Sequence, residues 1–550
     1  MRAKHVRWEV WLFISIAAML LYALFLLYPL ITLLARSFLG DDGGFSLQYF
    51  QRIFSKAYYL RAMGNSFKVT LTVTLFSVLL ATPLAYLMAV YQIKGKTVLE
   101  ILVLVSSMSA PFIGAYSWIM LFGRSGSVTT FLKEFISFKL PDIYGFPGIV
   151  LVMSLQLYTL VYMFVSGAFK NMDNSLIEAS ESMGCTGVRK MFKVVLPLLM
   201  PTLLAGALMV FMRTFADYGT PRLIGEGYMT LPVLVYNEFM GEVGSSDGLA
   251  AAISIVAVVI TTSVFLFQKL VVNRKQFSMN ALHPIQPKKL KGAGFFFAHL
   301  YCYLTVFIAM LPQFYVIYSS FRKTSGKLFV AGFSLNSYIE AFTTVGRSIV
   351  NTYVLGFASI AVIVVIAILI AYVVVRRRNP LNSMLDVTAM FPETVAGSIL
   401  GIALLMAFSK KPLYFSQTAF IMILAYTIRR LPYTVRSSSA ILHQISPSIE
   451  EAAISLGASN LKTFFKVTVP MMLPGVISGA ILSWIMIITE LSTSIILYTT
   501  KTKTMTLEIY SQIIRGNDGI AAAISSILTF STIIALAVFF KVSGKKEISL

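Results

Sequence analysis

A chain of 550 residues that is 57% hydrophobic and only 12% charged, with long apolar runs throughout, has the profile of a polytopic membrane protein, so its length is not divided into soluble domains. Its formal charge of +22 does not point to a nucleic-acid partner, because the cations gather at the ends of the apolar runs and not on one soluble face. Two cysteines, Cys185 and Cys302, and four histidines, His5, His283, His299 and His443, leave no disulfide framework and no metal-ligand spacing.

A helix crossing the hydrocarbon core needs about 20 predominantly apolar residues. Twelve runs qualify, roughly at 10–35, 67–91, 98–122, 147–169, 199–217, 249–271, 295–320, 350–375, 384–408, 417–435, 474–497 and 520–541. The expected fold is therefore an all-α polytopic membrane protein with 12 transmembrane helices. The first run follows Arg2, Lys4 and Arg7 but is too long for a signal peptide and lacks a small-residue cleavage site, which predicts an uncleaved helix. Lys94 and Lys96 follow the second run, and Lys170, Arg189, Lys190 and Lys193 the fourth. Arg274, Lys275, Lys288, Lys289 and Lys291 follow the sixth, Arg376, Arg377 and Arg378 the eighth, and Lys541, Lys545 and Lys546 the last. The positive-inside rule puts all of these, and both termini, on the cytoplasmic side. Arg322, Lys323, Lys501 and Lys503 fall on the other.

Between the third and fourth runs, TTFLKEFISF at 129–138 predicts an amphipathic helix on the membrane surface. Between the fourth and fifth lies EASESMG at 178–184. Ser175, three residues before Glu178, gives a capping-box signature for a short helix, and Gly184 sits where a left-handed C-cap would end it. Thr186 then caps a second helix reaching Val195, Leu196 and Pro197, which predicts a helix–turn–helix elbow on the cytoplasmic face. After the sixth run, the polar basic segment 273–292, with Pro284 and Pro287, reads as a cytoplasmic linker.

The second half repeats the first. Glu178, Gly184, Pro197 and Pro201 correspond to Glu451, Gly457, Pro470 and Pro474, each pair 273 positions apart. DGLAAAIS at 247–254 recurs as DGIAAAIS at 518–525, and FSLQYF at 45–50 resembles FSLNSY at 333–338. Six helices per half is an even number, so the repeat is parallel, with halves at 1–272 and 293–550 around the linker. The second elbow, EAAISLG at 451–457, has Ser448, Gly457 and Ser459 in the same capping roles.

Phosphate-cradling and hydrolytic motifs are missing. Gly95-Lys96-Thr97 fails as a Walker loop because Val90 occupies the first glycine position. GSSDG at 244–248 matches a nucleophile elbow only in letters, since it precedes an apolar helix and Asn517 replaces Ser246 in the repeat. A non-enzyme without its own cofactor is the expectation.

The paired loops, about 171–197 and 444–470, resemble the EAA loop of binding-protein-dependent ABC importer permeases. Glu178, Ala179, Gly184, Val194, Leu196 and Pro197 carry the likeness in one half, and Glu451, Ala452, Ala453, Gly457, Val467 and Pro470 in the other; Ser180 and Val469 are the departures. The resemblance implies the type I ABC importer permease fold in a bacterial plasma membrane. It also implies that the first short helix of each elbow docks on one of two copies of a cytoplasmic ATPase, which alone binds ATP, and that an external substrate-binding protein delivers the cargo. Whether Glu178 and Glu451 touch that ATPase or only cap their helix stays open. Arg213 and Asp217 on the fifth run, Glu393 on the ninth and Glu490 on the eleventh are the ionisable candidates within or near spans. Asp217 and Glu490 are again 273 apart, and either snorkel at an interface or form an outer gate. Glu393, beside Pro392 in a span that the proline is expected to kink, is a further pathway candidate. Such residues also suit the rival reading, an ion-coupled secondary transporter. ADYGTPRLIG at 216–225 and the fused halves look like ferric-iron importer permeases, whose subgroup also includes thiamine, phosphonate and sugar-phosphate importers.

Overall fold

The computed structural model describes residues 10–40, 42–108, 110–135, 141–241, 246–274, 283, 285–377 and 379–543. Residues 136–138 of the surface helix, 244 and 245 of the GSSDG stretch, 275–282 and Pro284 of the linker, Arg2, Lys4, His5, Arg7, Arg378, Lys545 and Lys546 lie outside them. The surface helix itself forms over Ser127–Phe135 and buries none of its side chains.

Among the described residues nine helices are long and apolar enough to cross a membrane: Val10–Phe38, Ala57–Val90, Phe146–Lys170, Met191–Phe215, Asp247–Gln268, Gly292–Ser320, Asn336–Arg376, Asn460–Ile488 and Asp518–Val542. Each overlaps one apolar run. Two further runs are broken: Lys96–Met108 meets Pro111–Phe135 at 97°, and Pro380–Thr394 meets Gly397–Ala407 at 109°, which brings the count to eleven if each pair is one span. Proline explains the first break, since Pro111 opens its helix with no amide to donate and Ala110 before it is extended. At the second, Pro392 lies in a single 3-10 turn, Phe391–Thr394, after which Ala396 is extended. The remaining run, the tenth, falls on Ala419–Gln444, whose 26 residues span about 39 Å. Arg429, Arg430 and Arg436 keep it from qualifying as apolar, so the count of twelve is not confirmed. Among the described residues, Arg322–Ser325 and Leu328–Phe333 form a β-hairpin, turned at Gly326 with φ +59°.

The chain forms two compact units. One comprises Met1–Tyr49, Glu238–Ile255 and Arg322–Lys545; the other comprises Phe50–Asn237, Val256–Phe321 and Lys546–Leu550. The first span of each half thus belongs with the other half's helices. Phe25 and Tyr28 of the first span both meet Phe408 at 5.9 Å between ring centroids. In the other unit, Gly292–Ser320 lies along first-half helices, with Tyr301 donating to the Leu80 carbonyl at 2.9 Å and Gln313 to that of Ser106 at 3.1 Å.

Within each unit the repeat is visible in the packing. A Cβ on Gly206 would stand 3.2 Å from Val161 Cα, and one on Gly479, 273 residues later, 2.7 Å from Thr434 Cα. The fourth and fifth helices of each half therefore cross with their backbones nearly touching, the small-residue packing that apolar surroundings favour. DGLAAAIS and DGIAAAIS both open helices, and Ala250–Ala252 and Ala521–Ala523 are wholly buried.

Candidate coupling elbows and buried charges

The first elbow opens with the helix Asn174–Ser182 and the second with Pro447–Ser455. Their caps sit two residues before the serines expected from sequence. Asp173 accepts from the Ser175 amide, and Ser446 from that of Ser448, so Ser175 and Ser448 receive the caps and do not provide them. An acceptor at a helix start satisfies the orphan amides wherever the extended residue falls, and the sequence offered two polar candidates in each loop. Glu178 instead accepts from the Asn174 side chain at 2.6 Å.

The helix ends match in detail. Cys185 N donates to Ser180 O and Gly184 N to Glu181 O, both at 2.9 Å; Ala458 N donates to Ala453 O at 3.1 Å and Gly457 N to Ile454 O at 2.9 Å. This is the Schellman closure, which requires a left-handed residue at the glycine. Gly184 has φ +78° and Gly457 φ +89°.

The second helix of each elbow does not stop at its proline. Gly187–Lys190 continues through a π turn, Met191–Val195, into Leu196–Phe215, and Asn460–Thr463 continues through Phe464–Thr468 into Val469–Ile488. Ser459 caps the second of these, as expected, while the first opens after Thr186 at Gly187. Pro197 and Pro470 have no amide to offer a regular α turn. The wider π turn just before each absorbs that loss without ending the helix. Each elbow is thereby fused to the fifth span of its half.

Glu178, Ala179, Glu451, Ala452, Pro197 and Pro470 are exposed, and Ala453 is half-buried. Sequence reasoning missed the apolar residues beside them. Met183 is 83% exposed and Leu456 89%, and Leu176, Phe192, Ile449 and Phe465 are exposed as well. They pair as Leu176 with Ile449, Met183 with Leu456 and Phe192 with Phe465, always 273 apart, which was a readable signal.

The anchors of the two elbows differ. In the second, Glu450 accepts from Arg376 Nε at 2.9 Å and from the Tyr372 hydroxyl at 3.2 Å, and Arg376 also donates to Ile445 O at 2.7 Å. Tyr372 packs with Trp11 and with Phe464 of the π turn, at 4.4 and 4.8 Å between ring centroids. The first elbow has buried Ile177 at the position of Glu450. There Glu181 takes the ionic role: a hydrogen bond from Lys190, with Lys288 3.7 Å away, holds its carboxyl below the usual carboxylate range.

The four ionisable candidates fall in different places. Arg213 is half-buried on the last turn of Leu196–Phe215, in one unit with Asp217. Asp217 accepts from the Thr220 amide at 3.0 Å, and Glu490 from the Thr493 amide at 3.1 Å, the same fold-back in both halves. Glu490 is only 4% exposed, so it does not snorkel. Arg429 Nη1 donates to it at 2.8 Å and Arg430 Nη2 to its other oxygen, while Arg429 also reaches Thr493. Glu393 sits in the 3-10 turn of the broken span and accepts from the Tyr433 hydroxyl at 3.2 Å. Arg429 and Arg430 were legible as adjacent cations inside an apolar run, where a partner is obligatory.

The family described as "Binding-protein-dependent transport system inner membrane component" matches residues 81–276 and 363–544, one segment in each half. The chain belongs to that family. It is an ABC importer permease of the inner membrane, and membership removes the secondary-transporter reading. The ferric transport system permease protein FbpB of Actinobacillus pleuropneumoniae is 25% identical over 543 residues, covering 96% of this chain and 77% of that protein. A putative ferric transport system permease protein, FbpB 1 of Haemophilus influenzae, is 25% identical over 502 residues, covering 88% and 77%. A putative 2-aminoethylphosphonate transport system permease protein, PhnU of Salmonella typhimurium, is 22% identical over 276 residues, covering 50% of this permease and 95% of its own length.

Proposed function

We propose that this permease forms the translocation pathway for ferric iron, and that its two elbows receive the force of two copies of a separate cytoplasmic ATPase. The carrying observation is the duplicated elbow. Each pairs a glycine-closed helix with an exposed apolar residue, Met183 or Leu456, and is continuous with a span. A lone side chain so exposed is ordinary; three pairs recurring at one spacing on the cytoplasmic loops fit a socket on a partner. The π turn makes the elbow's second helix and the span one rod, so a displacement passed on from the docked first helix tilts the span. The permease itself is non-catalytic and binds no cofactor, its halves 1–272 and 293–550 are joined by the linker 273–292, and both termini face the cytoplasm. Asp217 and Glu490 shape the chain after the fifth span of each half by closing its turn, and with Arg213 and Glu393 they are proposed pathway residues.

Iron as cargo is supported by the names of relatives that span nearly the whole chain, whereas the phosphonate relative spans half of it. The test is reconstitution of the permease with its ATPase in liposomes, with the receptor outside and ATP inside. Receptor-dependent entry of radiolabelled ferric iron is the expected result, with no ATP hydrolysis by the permease alone. Uptake confined to a phosphonate, thiamine or a sugar phosphate would reject iron. Hydrolysis by the isolated chain would reject the division of labour.

A further inference from the structure

We infer that the described part of the linker between the halves, His283 and residues 285–290, is a built part of the first elbow and moves with the helix Asn174–Ser182 as one body. This rests on the coupling role proposed above.

The first observation is a cap. Asn174 is the opening residue of its helix, and its amide, one of the orphan donors of a helix start, is taken by the His283 carbonyl at 2.8 Å. Asp173 takes the next amide, that of Ser175. The corresponding position in the second elbow is Pro447, 273 residues later, which has no amide to satisfy. The need for an outside acceptor therefore exists only in the half that the linker follows, and the linker supplies it.

The second observation is a staple. Lys288 N donates to Val90 O at 2.8 Å, Lys288 O accepts from Gln92 N at 3.1 Å, and Gln92 Nε2 donates to Pro287 O at 3.1 Å. The 90–94 turn is itself held to Gly292–Ser320. The Lys94 amide donates to His299 Nε2 at 3.1 Å, and the Tyr303 hydroxyl to Lys94 O at 2.7 Å. Lys288 Nζ then reaches Glu181 on the elbow helix at 3.7 Å. The linker thus bridges the elbow to the 90–94 turn by backbone bonds, with one exposed ion pair in addition.

These contacts separate two variants at one position. Lys288→Ala removes the exposed ion pair and keeps the backbone bonds, so ATP-driven uptake should stay within about twofold. Lys288→Pro deletes the amide donor and disturbs the bridge, so uptake per ATP hydrolysed should fall roughly tenfold in the full complex. Equal uptake in the two variants would overturn the inference. Asn174→Cys with His283→Cys, in a chain with Cys185 and Cys302 replaced by serine, tests common motion directly, since the backbone bond brings these residues within disulfide reach. If the two segments move together, oxidation should form the disulfide and leave uptake within about twofold. Failure of the disulfide to form in the membrane, or uptake that stops on oxidation and returns on reduction, would show that linker and elbow part. A Met183→Cys crosslink to the ATPase reports on the coupling role separately, whichever way the linker behaves.

Discussion

Gly184 and Gly457 have nothing within 4 Å of the Cβ they lack, so an added methyl would meet open space. The cost of alanine there is purely conformational, about 1 kcal/mol for a left-handed residue with a Cβ. That is comparable to a typical coupling energy between sites of about 1–3 kcal/mol. Gly184→Ala or Gly457→Ala should therefore lower ATP-driven uptake several-fold while membrane abundance stays near wild type. Asparagine, which tolerates this region, should retain more activity than alanine at either position. An asparagine variant no better than alanine would show that the conformation does not limit coupling. These glycines were legible because a left-handed C-cap after two helical turns leaves few other residues. The caps were not, since Asp173 competes with Ser175, and Ser446 with Ser448, and sequence does not say which residue is extended.

At the scale of the element, the second elbow is held by an acid that sequence did not single out. Glu451 matches the family motif but is exposed, whereas its neighbour Glu450 carries the contacts to Arg376 and Tyr372. The side chains of Arg376 and Glu450 are 10% and 13% exposed, so the pair is largely shielded from water. Truncating one partner of a fully buried pair costs about 3–5 kcal/mol, and residual solvent brings the expectation here to about 1–3 kcal/mol. Glu450→Ala should thus weaken uptake and loosen the elbow, seen as faster proteolysis after Ser446, more than Glu451→Ala does. A greater loss from Glu451→Ala would place the important contact on the partner side of the helix. The π turns belong to this scale too. The prolines at 197 and 470 read as helix ends in the sequence, and they end nothing, because one wide turn before each relieves the missing amide.

For the whole molecule, the duplication was plain in the sequence but the sorting of helices into units was not. Hydropathy places spans along the chain and carries no information about which apolar faces meet, because lipid is as apolar as a neighbouring helix. The break at Lys96–Met108 and Pro111–Phe135 was hidden for a related reason, since an apolar run reads the same straight or bent, whereas the kink expected at Pro392 is borne out. The sorting has a consequence for separated halves. A fragment of residues 1–272 keeps the first span but lacks Gly292–Ser320, whose Ala298, Cys302, Val306, Ala309 and Met310 complete the core around Val103, Trp118 and Val152. Residues 273–550 likewise lack Trp11, which packs between Tyr372 and Phe464 at the root of the second elbow. Each fragment alone leaves a helix-shaped groove, and residues 1–272 keep the Leu80 and Ser106 carbonyls without their donors Tyr301 and Gln313. Expressed singly, both should be degraded or recovered at a small fraction of the intact level. Expressed together, they should purify as a pair and restore part of the uptake, because each supplies the span the other lacks. Either fragment folding stably by itself, judged by monodisperse purification and resistance to protease, would mean that the exchanged first spans are not needed to complete the units.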